Sequence, residues 1–343
     1  MTNLDYWRKR EQEWLEKCQE EEKDTEDRLR TILSRLQREI QREINDAYMR
    51  YARRADLTMA DAMEQVSRFD VQVFSDKAAE YVRNKDFSDE ANERLKLYNA
   101  TMRINRLELI KAELGLENAR SFSEIEDVIY GQLIDRAIAE YRRQAGILGE
   151  TVPSPETLIN RAKVATGGSY ENATWSQRLW NISDAFRDSL ATTLQNAIIQ
   201  GLNPETIGRW AENFLRDKGI AQAKKNIDRL MRTELARVQE EVQKDSYERN
   251  GFEQFIFIAL MEGPGAAHTC NVCREMDGRT FPVTMMMPGE NAPPMHPNCR
   301  CSTAAYMDRA AVERELFGEE GDPKGYEGAP KSWKGISEGE KSN

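Results

Sequence analysis

The sequence predicts a mainly α-helical protein with a small α+β module near its C-terminus. The 343-residue chain has no glycine or proline between residues 5 and 54, and its first proline is Pro153, so long helices meet few helix breakers. After Gly251 the apolar pattern changes from steps of three and four residues to alternation, which is typical of strands. Four of the five cysteines and both histidines lie between His268 and Cys301, which marks a separate local unit.

Residues 1–148 are predicted to form an extended helical region. Apolar residues recur at steps of three and four in the second half of its first helix, which gives that half one apolar face. These residues are Leu29, Leu33, Leu36, Ile40, Ile44, Tyr48 and Tyr51. The first half holds Trp7 and Trp14 among many charges. It is predicted either to dock on a partner through its tryptophans or to be a solvated, frayed helix end.

Capping signals predict further helix boundaries within the same region. Ser88 is a candidate N-cap of a helix that Gly115 ends, because glycine readily adopts the backbone conformation of a helix C-terminus. Ser123 and Glu126 form a capping-box pattern for the next helix, which Gly146 ends. Two helices joined by a short loop are therefore expected here.

The sequence GETVPSPE at residues 149–156 predicts a linker, because its two prolines interrupt both helix and sheet. Residues 157–250 are predicted to form a second helical unit. Within it, the segment MRTELAR holds Arg232, Thr233 and Glu234, which could be read as an active-site arginine and carboxylate. Since no paired group accompanies them in the sequence, a structural ion pair is the favoured interpretation.

Residues 251–310 are predicted to form a β-rich module. The aromatic-rich FEQFIFIAL predicts a first strand, and RTFPV after the Asp277 and Gly278 turn predicts a second strand paired with it in a hairpin. STAAYM predicts a third short strand. Residues 311–343 begin with a brief predicted helix, AVERELFG, and their glycine, proline, lysine and glutamate content otherwise predicts disorder.

The cysteine and histidine spacing predicts a metal site in this module. Cys270 and Cys273 form a Cys-x-x-Cys pair, which lets a tight turn present two thiolates to one ion. His296, Cys299 and Cys301 follow after a gap of 22 residues and supply the second half of the site. The favoured ligands are Cys270, Cys273, His296 and Cys299, because His-x-x-Cys spans the same distance as Cys-x-x-Cys. Cys301 can replace either partner in the second pair.

Zinc is the predicted ion, because thiolate and imidazole ligands in tetrahedral geometry suit it, whereas iron–sulfur clusters usually use a tighter run of cysteines. His268 is a less favoured substitute ligand. The surplus of ligands favours a closed structural site over a catalytic one, which keeps one position open for water. Glu275 and Glu290 are the nearby glutamates available as a general base, and neither lies in a zinc-hydrolase motif. The alternatives to a metal site are disulfides or buried free thiols, and disulfides are disfavoured because no signal peptide is visible.

The composition argues against bulk binding to DNA and against a membrane span. With 31% charged and 39% hydrophobic residues, the chain suits extended helices with much solvated surface. A net charge of -10 disfavours coating DNA, although Arg274, Arg279 and Arg300 leave a local phosphate contact open. The longest strongly apolar run, residues 255–260, is too short to cross a bilayer. The chain is therefore expected to be soluble in the cytoplasm where it is made.

These motifs together resemble one protein family. MRTELAR, a helix that ends near Tyr247 and Gly251, a strand, HTCNVCREMDGRTF and PMHPNCRCS are similar to the Mu F-like minor head, or head morphogenesis, proteins of tailed bacteriophages. The resemblance covers roughly residues 155–307. The residues that match the family pattern are Cys270, Cys273, Asp277, Gly278, His296, Pro297, Cys299 and Cys301. None of them suggests a catalytic role.

The resemblance implies a non-enzymatic virion protein inside the capsid, close to the portal, that acts in head assembly and in DNA packaging or ejection. The implied partners are the portal protein, the scaffold or major capsid protein and the packaged DNA, without a membrane. Some family members carry an added toxin or enzyme domain, but the tail here is too short and polar to form one. The alternatives are a zinc-dependent nucleic-acid-processing or hydrolytic enzyme, with an open metal position beside Glu275 or Glu290, and a DNA-binding zinc module.

Overall fold

Long helices form most of the computed structural model, which describes residues 3–52, 106–170, 172–199, 204–262, 266 and 269–307. The helices are α1 (Asn3–Ala52), α2 (Arg106–Leu148), α3 (Pro155–Thr166), α4 (Trp175–Ile199), α5 (Pro204–Phe214), α6 (Ile220–Arg249) and α7 (Asn271–Met276). The strands are β1 (Ser169–Tyr170), β2 (Ala173–Thr174), β3 (Gln254–Ile258), β4 (Thr280–Pro282) and β5 (Ser302–Tyr306). The predicted class, mainly α with a small α+β module near the C-terminus, is confirmed.

Two sets of sequence predictions lie outside the described residues. These are the helices expected between residues 55 and 105 and the brief helix and disorder expected after residue 310. None of the described helices combines the length and the apolar character that crossing a membrane requires.

The predicted long helix at the N-terminus is confirmed as α1, and its apolar face packs on α2. Five of the predicted core residues are at most 1% exposed: Leu29, Leu33, Leu36, Ile40 and Ile44. The side chains of Tyr48 and Tyr51 lie outside the described ones. The two helices run antiparallel, since Thr25 bonds to Gln132 while Arg143, later in α2, bonds to Glu11, earlier in α1. One buried apolar cluster joins α1, α2, α4 and α6.

The helix boundaries predicted at Gly115 and Ser123 are wrong, because both residues lie inside the continuous helix α2. Both are buried, and Phe122 between them is fully buried in the main apolar cluster. Packing of this face against the other helices therefore outweighs the local stop and start signals. The end predicted at Gly146 falls instead at Gly149, which has a positive φ of 73°.

The first half of α1 lies against the C-terminal sheet of the same chain. Leu4 and Trp7 pack on a cluster formed by Ile256, Ile258 and Ala304. Both sequence interpretations of this half are therefore corrected: within the described structure it is neither a free arm reaching for a partner nor a frayed helix end. Trp7 packs on the sheet of the same chain.

The three predicted strands of the C-terminal module are confirmed, in the order β4-β3-β5 with antiparallel pairing throughout. Phe255 pairs with Phe281 on one side and with Ala305 on the other. The connection between β3 and β4 is longer than a simple hairpin, because it contains α7. Gly278 closes it with a φ of 78° and donates its backbone N–H to the Phe257 carbonyl at 2.8 Å.

Candidate metal centre

The first half of the candidate metal centre is built on the start of α7. Cys270 is the N-cap residue of this helix, and its sulfur accepts a hydrogen bond from the backbone N–H of Cys273 at 3.4 Å. Cys273 lies in the first turn and is fully buried. The sequence predicts a tight turn here, and the structure places both sulfurs at the start of a short helix.

The second half lies on the loop that leads into β5. The backbone N–H of Cys299 donates to the His296 carbonyl at 3.0 Å, which closes a tight turn around Asn298, whose φ is 65°. The Asn298 N–H donates in turn to the hydroxyl of Thr233 on α6 at 3.1 Å. Cys301 directly precedes the strand. This loop is therefore held both by its own turn and by the MRTELAR helix.

The five predicted donors come together only in part, because no four of their donor atoms all lie within 4.8 Å of one another. They form two groups of three that share Cys273, one with Cys270 and His296 and the other with Cys299 and Cys301, and the donor atoms of each group lie within 4.8 Å of one another. Among the described residues these are the groups able to hold a metal ion. The remaining candidate ligand, His268, lies outside the described residues.

Two donor distances fit a tetrahedral zinc site. The Cys273 sulfur lies 3.5 Å from Nε2 of His296 and 3.9 Å from the Cys299 sulfur. Zinc bonds of about 2.3 Å to sulfur and about 2.0 Å to nitrogen, at tetrahedral angles, place a sulfur and a nitrogen about 3.5 Å apart and two sulfurs about 3.8 Å apart. These two distances are compatible with zinc bound by Cys273, His296 and Cys299, and thiolate and imidazole donors suit this ion.

The ring of His296 is oriented for metal binding through Nε2. Its Nδ1 lies 2.9 Å from the carbonyl oxygen of Pro297, to which it donates when protonated. That bond selects the tautomer whose unprotonated Nε2 points toward the Cys273 sulfur. A backbone carbonyl on the second ring nitrogen is a common arrangement around metal-bound histidine.

The surroundings also favour thiolates at two positions. Burial opposes ionisation of Cys270, but hydrogen bonds from the backbone of Cys273 leave its pKa below the ordinary value. Hydrogen bonds from the thiols of Cys273 and Cys301 hold the pKa of Cys299 well below its usual range. Because thiolate is the metal-binding form of cysteine, these shifts suit a metal centre.

Among the described residues, neither glutamate considered as a general base belongs to the cluster. Glu275 and Glu290 are both exposed, and neither belongs to the groups of donor atoms. A cavity of about 400 Å³ adjoins the cluster, and apart from the donors its lining residues are Arg232, Thr269, Pro297, Asn298 and Arg300. Since no carboxylate lines this cavity, nothing in the described residues favours the hydrolytic alternative.

The MRTELAR segment has a structural role, as the sequence favours. Glu234 is fully buried and forms ion pairs with Arg178 on α4 and with Arg237 one turn later on α6. Arg237 also donates to the carbonyl oxygens at the end of α3. Arg232 pairs with Glu26 on α1. The segment thus joins four helices beside the cluster.

Sequence reasoning missed the residues of α1 that hold the metal module. Arg8 pairs with the buried carboxylate of Asp277, and Glu22 lies 2.9 Å from Arg300, between two of the candidate ligands. A signal was present, because the steps of three and four residues continue back from Leu29 through the buried positions of α1. These positions are Thr25, Glu22, Cys18, Leu15 and Glu11. Because several of these side chains are polar, this half of α1 shows no continuous apolar stripe in the sequence, and its buried face was not recognised.

The fold and the cluster define a class: a mainly helical protein whose C-terminal α+β module carries a Cys/His site able to hold a metal ion. Residues 188–304 match the family described as Phage Mu protein F like protein. The matched segment runs from α4 to β5 and includes all five donors. This confirms the resemblance seen in the sequence: the chain contains a Mu F-like segment, and the match supports a bacteriophage head morphogenesis protein. No curated protein and no solved structure gives a significant match.

Proposed function

We propose that this chain is a non-enzymatic minor head protein of a tailed phage, which lies inside the capsid beside the portal and acts in head assembly. The family match over residues 188–304 supports a head protein, and portal association is the finer part of the proposal. The observation that supports a structural role is the cluster itself. Its five donors lie where α1, α6 and the sheet are tied together, and no carboxylate of the described residues lines the cavity beside them.

In this proposal the cluster holds a structural zinc ion. Cys270, Cys273, His296 and Cys299 are its ligands, and Cys301 is the surplus donor that can replace one of the second pair. When bound, zinc cross-links the start of α7 to the loop before β5. The chain's own groups prepare this arrangement, because the Pro297 carbonyl orients the imidazole and Thr233 anchors the loop.

The proposal divides the chain into two parts. Residues 157–250 and 251–310 form the Mu F-like part, and residues 1–148 provide the extended helical region. The contacts of Arg8 and Glu22 with the module support a rigid connection between the two parts. A rigid body of this kind suits a component that bridges other head proteins.

Metal analysis of matched variants tests the zinc site. We expect about one zinc ion per wild-type chain, and loss of that zinc in Cys270→Ser, with the segment from β3 to β5 becoming protease-sensitive while most helical signal remains. Cys18→Ala is the control, since Cys18 is a buried free cysteine on α1, outside the donor groups. A Cys270→Ser chain that keeps both its zinc and its protease resistance would exclude this residue as a ligand.

Assembly with and without the portal protein tests the location. Heads produced in the presence of portal protein should contain this chain by quantitative mass spectrometry, and portal-free shells should contain at least tenfold less. Equal amounts in both would overturn the portal assignment while leaving the head role intact. Absence from both would overturn the head role itself.

A further inference from the structure

We propose that a groove formed by α4, the end of α5 and the start of α6 binds residues 311–320 of a second copy of this chain. The groove encloses about 530 Å³. Its apolar lining residues are Ile182, Ala185, Phe186, Phe214, Ala221 and Ala223. This surface uses the first turns of α6, whereas the cysteine loop contacts the helix from Arg232 and Thr233 onward.

A π-helical turn shapes the groove. Leu215–Gly219 forms five residues of π-helix between α5 and α6, and such turns often mark binding or functional sites. Gly219 allows two aromatic rings to come together there. A Cβ atom at this position would lie 2.7 Å from Phe214 Cε1 and 3.1 Å from Phe186 Cε2. The turn and its glycine therefore hold the phenylalanine rings that line the groove.

The rim of the groove is positively charged. Lys218 and Lys225 are exposed lining residues, and neither has a carboxylate partner among the described residues. The one acidic lining residue, Asp217, is paired with Arg216 at 2.7 Å. Because the chain as a whole has a net charge of -10, this rim is a local departure from its overall charge. An occupant with apolar and acidic side chains fits such a surface.

Residues 311–320 have this chemistry. The sequence AVERELFGEE contains four glutamates and one arginine, and Val312 and Leu316 are four residues apart with Phe317 beside them. An amphipathic segment can place such apolar residues into a groove and its acidic residues against the rim lysines.

Chain geometry makes the contact intermolecular. Tyr247, near the end of α6, contacts Thr303 on β5, so the chain leaves the sheet at the end of α6 opposite the groove. The 21 residues of helix from Asn226 to Tyr247 span about 32 Å at 1.5 Å per residue. The five residues from Met307 to Val312 reach at most about 18 Å. Val312 therefore cannot enter the groove of its own copy, and we assign the segment to the groove of a neighbouring copy.

The contact is heterologous, because the groove and the segment are different surfaces. Repetition of a heterologous contact closes a ring when a whole number of such rotations makes one full turn. Otherwise it extends a filament. The inferred product is therefore a head-to-tail assembly of this chain, independent of the portal contact proposed above.

Sedimentation of the full-length chain over a range of concentrations tests the pairing of charges. We expect reversible self-association that weakens at least tenfold in Lys218→Glu/Lys225→Glu. Adding Glu315→Lys/Glu319→Lys to that variant should restore association, because the two charges are exchanged. The control is Lys23→Glu/Lys163→Glu, which makes the same change in net charge at exposed sites away from the groove. A wild-type chain that stays monomeric at high concentration, or association that the groove variant leaves unchanged, would overturn the proposal.

A photo-crosslinking residue at Gln222, an exposed residue of the groove, identifies the occupant. Equal amounts of isotopically light and heavy copies are mixed, and the crosslinked peptides are sequenced by mass spectrometry. Crosslinks to residues 311–320 of the other isotopic form are the expected result. Crosslinks to the same copy, or to another segment of the second copy, would show that this occupant is wrong.

Discussion

The guanidinium of Arg8 and the carboxylate of Asp277 join the first turns of α1 to the metal module, 269 residues apart in the chain. Nε of Arg8 donates to Oδ2 of Asp277 at 3.0 Å, and the Asp277 side chain is only 3% exposed. The other carboxylate oxygen accepts the backbone N–H of Ala259 at 2.8 Å. One aspartate therefore fixes both the end of β3 and the position of α1.

Replacing Arg8 should release the start of α1 from the module. In Arg8→Ala the buried carboxylate loses its cationic partner, which we expect to destabilise the protein by roughly 1–3 kcal/mol. Hydrogen exchange should accelerate in the first four turns of α1 and at Ala259. Arg30→Ala is the matched control, because Arg30 and Asp27 form an exposed pair that contributes little. Identical exchange in the two variants would refute the proposed role of Arg8.

Substitution in a buried network of ion pairs next to this contact should destabilise the protein more. Arg143 bonds to both Glu11 and Glu140, at 2.7 Å to each, and Ser302 on β5 donates to Glu11 at 2.8 Å. In Arg143→Met two buried carboxylates lose their common cation, so we expect a loss of about 3–5 kcal/mol in chemical denaturation. Arg216→Ala removes an exposed pair instead and should leave the stability nearly unchanged. A comparable loss in the two variants would contradict the network's importance.

Stability should fall as pH rises toward 8 because of Glu240. This side chain is 2% exposed, and neither carboxylate oxygen has a hydrogen-bond partner among the described residues. Burial, with the nearby charge of Glu241, raises its pKa from the ordinary 4.5 to about 8, against Lys244 and Arg237. The folded state thus holds a proton that the unfolded state releases. The stability that protonated Glu240 contributes is complete below pH 4.5 and is lost as pH rises to about 8.

The measurement is the free energy of unfolding of wild type and of Glu240→Gln from pH 5 to pH 8. The variant should be more stable than wild type at pH 8 and nearly equal at pH 5, with a slope difference of up to about 1.4 kcal/mol per pH unit. Glu248→Gln, an exposed position on the same helix, should leave the wild-type slope unchanged. Parallel pH profiles for wild type and Glu240→Gln would show that this carboxyl does not titrate in the expected window.

The strands and the cysteine loops were predictable because their signals are local. Alternation in FEQFIFIAL and the two short ligand spacings depend on adjacent residues, and the structure places strands and donors accordingly. The continuity of α2 through Gly115 was not predictable, since it depends on packing against distant helices. The docking of α1 was missed for a related reason. Its buried face carries Glu11 and Glu22, whose partners Arg143 and Arg136 lie more than 110 residues away.

Zinc content should distinguish the two cysteines nearest β5. Cys299 lies 3.9 Å from the Cys273 sulfur, and its low pKa favours the thiolate, so Cys299→Ser should lose most of its zinc. In Cys301 the Cys273 thiol lowers the pKa, but the Cys299 thiol and burial leave it raised, and in the proposed site this residue is the surplus donor. Cys301→Ser should therefore retain about one ion per chain. The opposite pattern would assign Cys301 as the fourth ligand in place of Cys299.

Gly278 should tolerate alanine less well than Gly251, although both have a positive φ, 78° and 71°. An alanine in this conformation costs about 1 kcal/mol at either site. At Gly278 the new Cβ would also lie 3.0 Å from Cδ2 of Leu4 on α1, whereas at Gly251 it would meet nothing within 4 Å. We expect Gly278→Ala to lose about 1 kcal/mol more than Gly251→Ala, and to increase hydrogen exchange in the first turns of α1.

Adding Leu4→Ala should remove the contact and narrow the difference in stability between the two alanine variants. If Gly278→Ala and Gly251→Ala unfold alike and leave α1 equally protected, the close packing of Leu4 on this turn has no energetic weight. Such a result would leave the Arg8 and Asp277 pair as the main contact between the first two turns of α1 and the turn after α7.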